Sequence, residues 1–143
     1  MKSKLFRSAL TVLACTGALA LATPSMAASV NFKANLNAAT EVPPNDSKAS
    51  GAVTATYDTA TKMLSWKGSY KDLSGPATAA HFHAGEVGKN GGVAIPITPN
   101  TSPLEGTATL TAEQEADLMA GKWYVNVHTA TNKGGEIRGQ LTK

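Results

Sequence analysis

The sequence predicts an all-β protein, an antiparallel β-sandwich or flattened barrel of about eight short strands with one short helix. Two observations carry this expectation. From Ser29 onward, apolar and polar residues alternate in short runs rich in Val, Thr, Tyr and Trp. Between the runs stand residues with defined turn chemistry: Pro43-Pro44-Asn45-Asp46 cannot continue a ladder, Asp58-Thr59-Ala60-Thr61 suits a hairpin, and Asn90-Gly91-Gly92 tolerates positive φ.

The elements follow in order. Val30, Phe32, Ala34 and Leu36 alternate with polar neighbours in a first strand, Val53, Ala55 and Tyr57 do so in a second, and Leu64, Trp66, Gly68 and Tyr70 mark a third. Further strands are expected over 78–83, 92–97, 105–110, 122–128 and 136–141. One helix interrupts them. Thr111 can cap it, Gln114 three residues later completes a capping box, Leu118 and Met119 give it a small apolar face, and Gly121 can end it in the left-handed conformation. At about two turns it depends on packing, which suits a helix closing one end of the sandwich.

The N-terminus reads as an export signal over residues 1–27. Lys2, Lys4 and Arg7 form a basic start, Ser8 to Ala22 is mostly apolar, and Ser25-Met26-Ala27 offers the small residues that a signal peptidase accepts. Removing 27 of the 143 residues leaves 116, one domain over 28–143, which is expected to be secreted or periplasmic. A competing reading makes Val12-Leu13-Ala14-Cys15 a lipobox and the product a lipoprotein held through Cys15. It is weakened by an apolar run that continues past Cys15 and by the size of Leu13.

Processing also changes the charge. The formal +3 falls to zero once three of the 13 basic residues are gone, leaving ten against ten acidic ones, so the mature chain has no basic run for nucleic acid. No later stretch has the ~20 apolar residues of a membrane span. Cys15 is the only cysteine, and without it the domain has neither disulfide nor thiolate.

The chemistry concentrates in three histidines, His81, His83 and His128, and there are no others. In a strand, residues i and i+2 leave the same face about 6.5 to 7 Å apart, so His81 and His83 can converge on one ion while Phe82 enters the core. His128 ends Trp123-Tyr124-Val125-Asn126-Val127-His128, where Trp123, Val125 and Val127 share the apolar face and His128 falls opposite with Tyr124 and Asn126. Three imidazoles without a thiolate suit copper first and zinc second. Glu86 is a candidate for an oxygen ligand or for a hydrogen bond to an imidazole. The bland alternative is three strand histidines bonded to carbonyls and loops.

Two other clusters carry less. Glu136 and Arg138 in Gly135-Glu136-Ile137-Arg138-Gly139-Gln140 share one face, where they form an ion pair or hydrogen-bonding network, or where Arg138 holds an anion near the histidines; Gly139 permits a bend or bulge. Gly85 to Gly92 lacks the strand-to-helix context and G-K-[ST] ending of a phosphate loop and reads as a lid or turn. No G-x-S-x-G elbow occurs and no Ser-His-acid set can be assigned, so no catalytic residue is named. Asn45-Asp46-Ser47 and Asn100-Thr101-Ser102 match the glycosylation sequon.

Taken in order, Phe32-Lys33-Ala34-Asn35-Leu36, Glu41-Val42-Pro43-Pro44, Ala80-His81-Phe82-His83-Ala84-Gly85, Gly121-Lys122-Trp123-Tyr124-Val125-Asn126-Val127-His128-Thr129 and Gly135-Glu136-Ile137-Arg138-Gly139-Gln140 resemble the CHRD (chordin-type) domain family. The resemblance covers nearly all of 28–143 and implies an exported β-sandwich of immunoglobulin-like type. More loosely, an H-x-H strand, a glycine-rich loop and a later strand histidine are similar to the copper arrangement of Cu,Zn superoxide dismutase, which implies His81, His83 and His128 as copper ligands. The bridging histidine, separate zinc site and cysteine pair of that enzyme have no counterparts here, so dismutase activity is not expected. The functional expectation is a small exported module that is not an enzyme and binds copper, or zinc, through three histidines. The alternatives are a metal-free envelope domain that binds an extracellular or envelope protein partner, and a copper redox enzyme.

Overall fold

The alternation becomes eight antiparallel strands in the computed structural model, which describes residues 28–143; the expected signal segment and Cys15 lie outside the described residues. The strands are β1 (Ser29–Asn37), β2 (Ser50–Asp58), β3 (Met63–Lys71), β4 (Ala77–Ala84), β5 (Gly92–Pro96), β6 (Leu104–Thr109), β7 (Trp123–Thr129) and β8 (Ile137–Gln140), with helix α1 (Ala112–Met119) between β6 and β7. The all-β antiparallel expectation holds, and the last five strands start and end within one residue of their expected limits.

All eight strands belong to one sheet, in the order β5-β4-β7-β8-β1-β2-β3-β6. Its weakest seam lies between β8 and β1, where only Asn37 and Arg138 pair, supplemented by a bridge between Lys33 and Thr142. There the sheet folds over on itself. The fold lets Trp66 of β3 pack edge-on against Phe82 of β4 at 5.1 Å, and Phe82 in turn lies 5.9 Å from Trp123 of β7. Such pairs add to the burial of large apolar area that holds the two halves together. Phe32, Leu36, Val53, Tyr57, Leu64, Val125, Val127 and Ile137 complete the core, so the apolar parity of β1, β2, β3 and β7 faces inward as the alternation requires, whereas the edge strand β5 buries no residue fully. Gly139 is needed for close approach rather than for a bulge: it pairs in register with Val125, and a Cβ there would strike the backbone of Asn35 on β1.

Local chemistry accounts for the ends of the elements. Thr111 accepts from the Gln114 amide while the Gln114 side chain accepts from the Thr111 amide, which is the expected capping box. At the other end, the amides of Gly121 and Lys122 donate to the carbonyls of Leu118 and Asp117, closing α1 in a Schellman arrangement. Asp58 Oδ1 accepts from the amides of Ala60 and Thr61 and shapes the β2–β3 hairpin. A 3-10 turn over Ala38–Thr40, capped by Asn37, was not expected from the sequence. No helix among the described residues is long and apolar enough to cross a membrane.

Candidate metal centre

Adjacent pairing of β4 and β7 brings the histidines together. The register sets Ala79 opposite His128, His81 opposite Asn126 and His83 opposite Tyr124, so all three imidazoles rise from one face of two neighbouring strands. Phe82 points the other way and is fully buried, as period-2 geometry demands. One ring nitrogen from each histidine lies within 4.8 Å of the others. His81 Nδ1 and His128 Nε2 are already 3.1 Å apart. Two nitrogens bound at about 2.0–2.1 Å to one tetrahedral ion are separated by about 3.3 Å, so this pair is already at the required spacing once the His81 proton moves to Nε2 and the two lone pairs turn to the ion, and the third needs a contraction of at most about 1.5 Å.

Two of the rings are oriented by backbone carbonyls. His83 Nδ1 donates to Gly91 O at 3.0 Å, and His128 Nδ1 donates to Lys133 O at 2.9 Å. A carbonyl can only accept, so both neutral rings carry their proton on Nδ1 and keep the Nε2 lone pair for another partner. His83 is 8% exposed, and its buried Nε2 has no hydrogen-bond partner. A carbonyl anchor on Nδ1 turns Nε2 inward, the arrangement that orients histidine toward a metal; Nε2 of His83 is without a partner, and Nε2 of His128 accepts from His81 Nδ1. Electrostatics favours the neutral form of His81 and His83. Burial, followed by the neighbouring His128 and His83, lowers the pKa of His81 below 6.5; burial is also the chief cause of the lowered pKa of His83, against a raising bond to Gly91.

The face opposite the apolar core is itself packed. Tyr124 stacks flat on His83, with centroids 4.8 Å apart and planes inclined by 3°, and on its other side Arg138 brings Cζ to 3.4 Å from the ring centroid. Arg138 is buried, and its guanidinium donates to Asn90 Oδ1 and Lys89 O. Tyr124 Oη accepts from Gly91 N, and Gln140 donates to the carbonyls of Gly85 and Gly121. The glycine-rich segment is therefore a loop tied down from below, and its carbonyl at Gly91 sets the His83 ring. Beneath it Glu41 is buried beside Asn126. Burial pushes its carboxyl up to about 7 against the opposing pull of Arg138, the Val42 amide and Asn126. Gly135, at φ +131, leaves the space that Glu41 and Asn126 occupy.

Several sequence expectations need correction. Glu86 does not join the histidines; its carboxylate is exposed and pairs with Lys89 at 2.8 Å. Glu136 and Arg138 form no ion pair with each other, but each makes the expected hydrogen-bonding network to neighbouring loops. Glu136 is fully buried on its own network, accepting from Ser47 Oγ, Ser74 N, Ser74 Oγ and Thr129 Oγ1. Burial acts to raise its pKa, and the bonds from Ser47, Ser74 and Thr129 outweigh that and bring it down to about 2. Arg138 is 2% exposed and both of its terminal nitrogens bond to the loop, so its guanidinium is turned to the loop rather than to solvent. Both sequon amides are engaged as well, Asn45 with the Gly135 and Glu136 carbonyls and Asn100 with Ala77 O. The sequence assigns no role to Tyr124, Asn126 or Glu41; the only signal is their place in the runs that resemble the family, with Tyr124 and Asn126 on the polar parity of theirs.

The sequence model of the CHRD domain matches residues 32–141, which takes in all three histidines and every strand but the first three residues of β1. No curated protein and no solved structure matches the chain.

Proposed function

The chain belongs to the CHRD domain family, and from that premise we propose that it is an exported module, not an enzyme, which binds one copper ion through His81, His83 and His128 and stores or delivers it. Two observations carry the reading: one ring nitrogen from each of the three histidines lies within 4.8 Å of the others, and the buried Nε2 of His83 has no hydrogen-bond partner. An all-nitrogen donor set favours copper over zinc, because affinities rise to Cu(II) and fall again at zinc, and a trigonal imidazole site also suits Cu(I). Export follows from the basic-apolar-small pattern of residues 1–27, and would leave Ala28 as the first residue of the product.

Competition titrations of residues 28–143 against calibrated copper and zinc chelators test the reading. The expected result is tighter retention of copper, weakened at least about tenfold by His83→Ala and by His128→Ala. Equal affinities in wild type and both variants would overturn it. A protein-interaction role is favoured by one observation: Val87 and Val93, on the loop and on the edge strand β5 flanking His83, are 76% and 55% exposed. That reading predicts partner capture unaffected by the histidine substitutions.

A further inference from the structure

The three histidines are not held alike. His83 and His128 each have their second nitrogen fixed by a backbone carbonyl, at 3.0 and 2.9 Å. His81 has no such anchor; its one hydrogen bond runs from Nδ1 to His128 Nε2, the atom that an ion would claim. Against His83 on its other flank it makes only an edge-on ring contact, whereas His83 is clamped by Tyr124. His81 also borders a pocket of about 380 Å³ with Ala79, Pro96, Thr98, Pro99 and Asn100. Pro96 is its cross-strand neighbour and Ala79 shares its face of β4, so the pocket opens on the histidine side of the sheet.

Resting on the copper reading above, we infer that His81 is the exchangeable ligand of the site, and that the pocket beside it admits the incoming neutral donor, an imidazole or thioether, when the ion passes to an acceptor. Two carbonyl-anchored ligands keep the ion in place while the third swings away. The pocket touches the site at His81 and not at His83 or His128, and it is of the size that takes one side chain or one arm of a small chelator, too small for a folded surface. Ligand exchange through such an opening is associative: the new bond to copper forms as the bond to His81 breaks, with no change in oxidation state. Asymmetric anchoring thus separates retention, which depends on His83 and His128, from release, which depends on His81 and its neighbours.

The test loads the protein with Cu(I) and follows its transfer to bicinchoninate as the chelator concentration rises. Wild type is expected to transfer faster in proportion to chelator. Thr98→Trp and Ala79→Leu, which fill the pocket from two sides, are expected to keep wild-type copper stoichiometry while transfer slows about tenfold. Val93→Trp, outside the pocket, is expected to transfer at the wild-type rate, and His81→Ala to lose affinity less than His83→Ala or His128→Ala. Either filling variant that holds copper decides the matter if the other does not fold. Unchanged transfer in the filled variants, or an equal slowing by Val93→Trp, overturns the inference while the metal site stands. A wild type that retains no copper overturns the copper reading and this inference with it.

Discussion

At the scale of single residues, two buried carboxyls behave in opposite ways because hydrogen bonds outweigh burial at one and fall short of it at the other. Glu136 accepts four hydrogen bonds and sits near 2, while Glu41 keeps Oε1 without a partner and sits near 7. Glu136 contributes stability that is present above its ordinary value of 4.5 and is lost as pH falls through about 2. The contribution of Glu41 has the reverse sign, full below 4.5 and lost as pH rises through about 7. His81 and His83, with lowered values, add a loss of stability as pH falls below 6.5. Urea denaturation across this range checks the signs. Glu136→Gln should cost about 1–3 kcal/mol at neutral pH and flatten the acid limb, whereas Glu41→Gln should leave acid stability alone and raise stability at alkaline pH. The convergence of His81 and His83 was legible from their spacing, since period 2 fixes the face. Their partners were not, because the carbonyls of Gly91 and Lys133 arrive on loops whose course no local pattern encodes. Nor does spacing separate Glu136 from Arg138, which share a parity yet turn to different networks.

At the scale of elements, the sequence was most legible where the deciding contacts are local. The capping box of α1 joins residues three apart, and the Asp58 turn joins residues two and three apart, so both could be read directly. The pairing of β4 with β7 joins residues about 47 apart, as His81 and His128 are, and only the assembled sheet determines it. The layer of His83, Tyr124 and Arg138 spans three adjacent strands, β4, β7 and β8, and ties the loop from Gly85 to Gly91 to the sheet. Arg138→Met should therefore act on the loop as well as on its own site. It leaves Lys89 O and Asn90 Oδ1 without their guanidinium donor, and a loss of about 2 kcal/mol or more is expected. Amide exchange at Gly91, whose N–H is held by Tyr124 Oη, should quicken more than exchange in β2. Equal acceleration in both would mean that Arg138 serves global stability alone.

At the scale of the molecule, one antiparallel sheet folded at the β8–β1 seam provides two surfaces with separate duties. Its inner face buries Trp66, Phe82 and Trp123 and stands without a disulfide. The opposite face of β4 and β7 carries a polar layer that only three histidines and a tied loop complete. The fold class followed from alternation, because an amphipathic strand must bury one parity whatever its neighbours. The closure of a single sheet over itself did not, since the sparse ladder pairing between β8 and β1 is a property of register and their close approach depends on Gly139 meeting Asn35. Family membership agrees with that architecture and is silent on the ion. The central claim is that one ion is shared by histidines from two strands. It is tested most directly by the metal content of residues 28–143 after dialysis against limiting copper and zinc, beside a His81→Ala/His83→Ala control. One equivalent of copper retained by the wild type and lost by the control is the predicted result; no retention by the wild type, or equal retention by both, would contradict it.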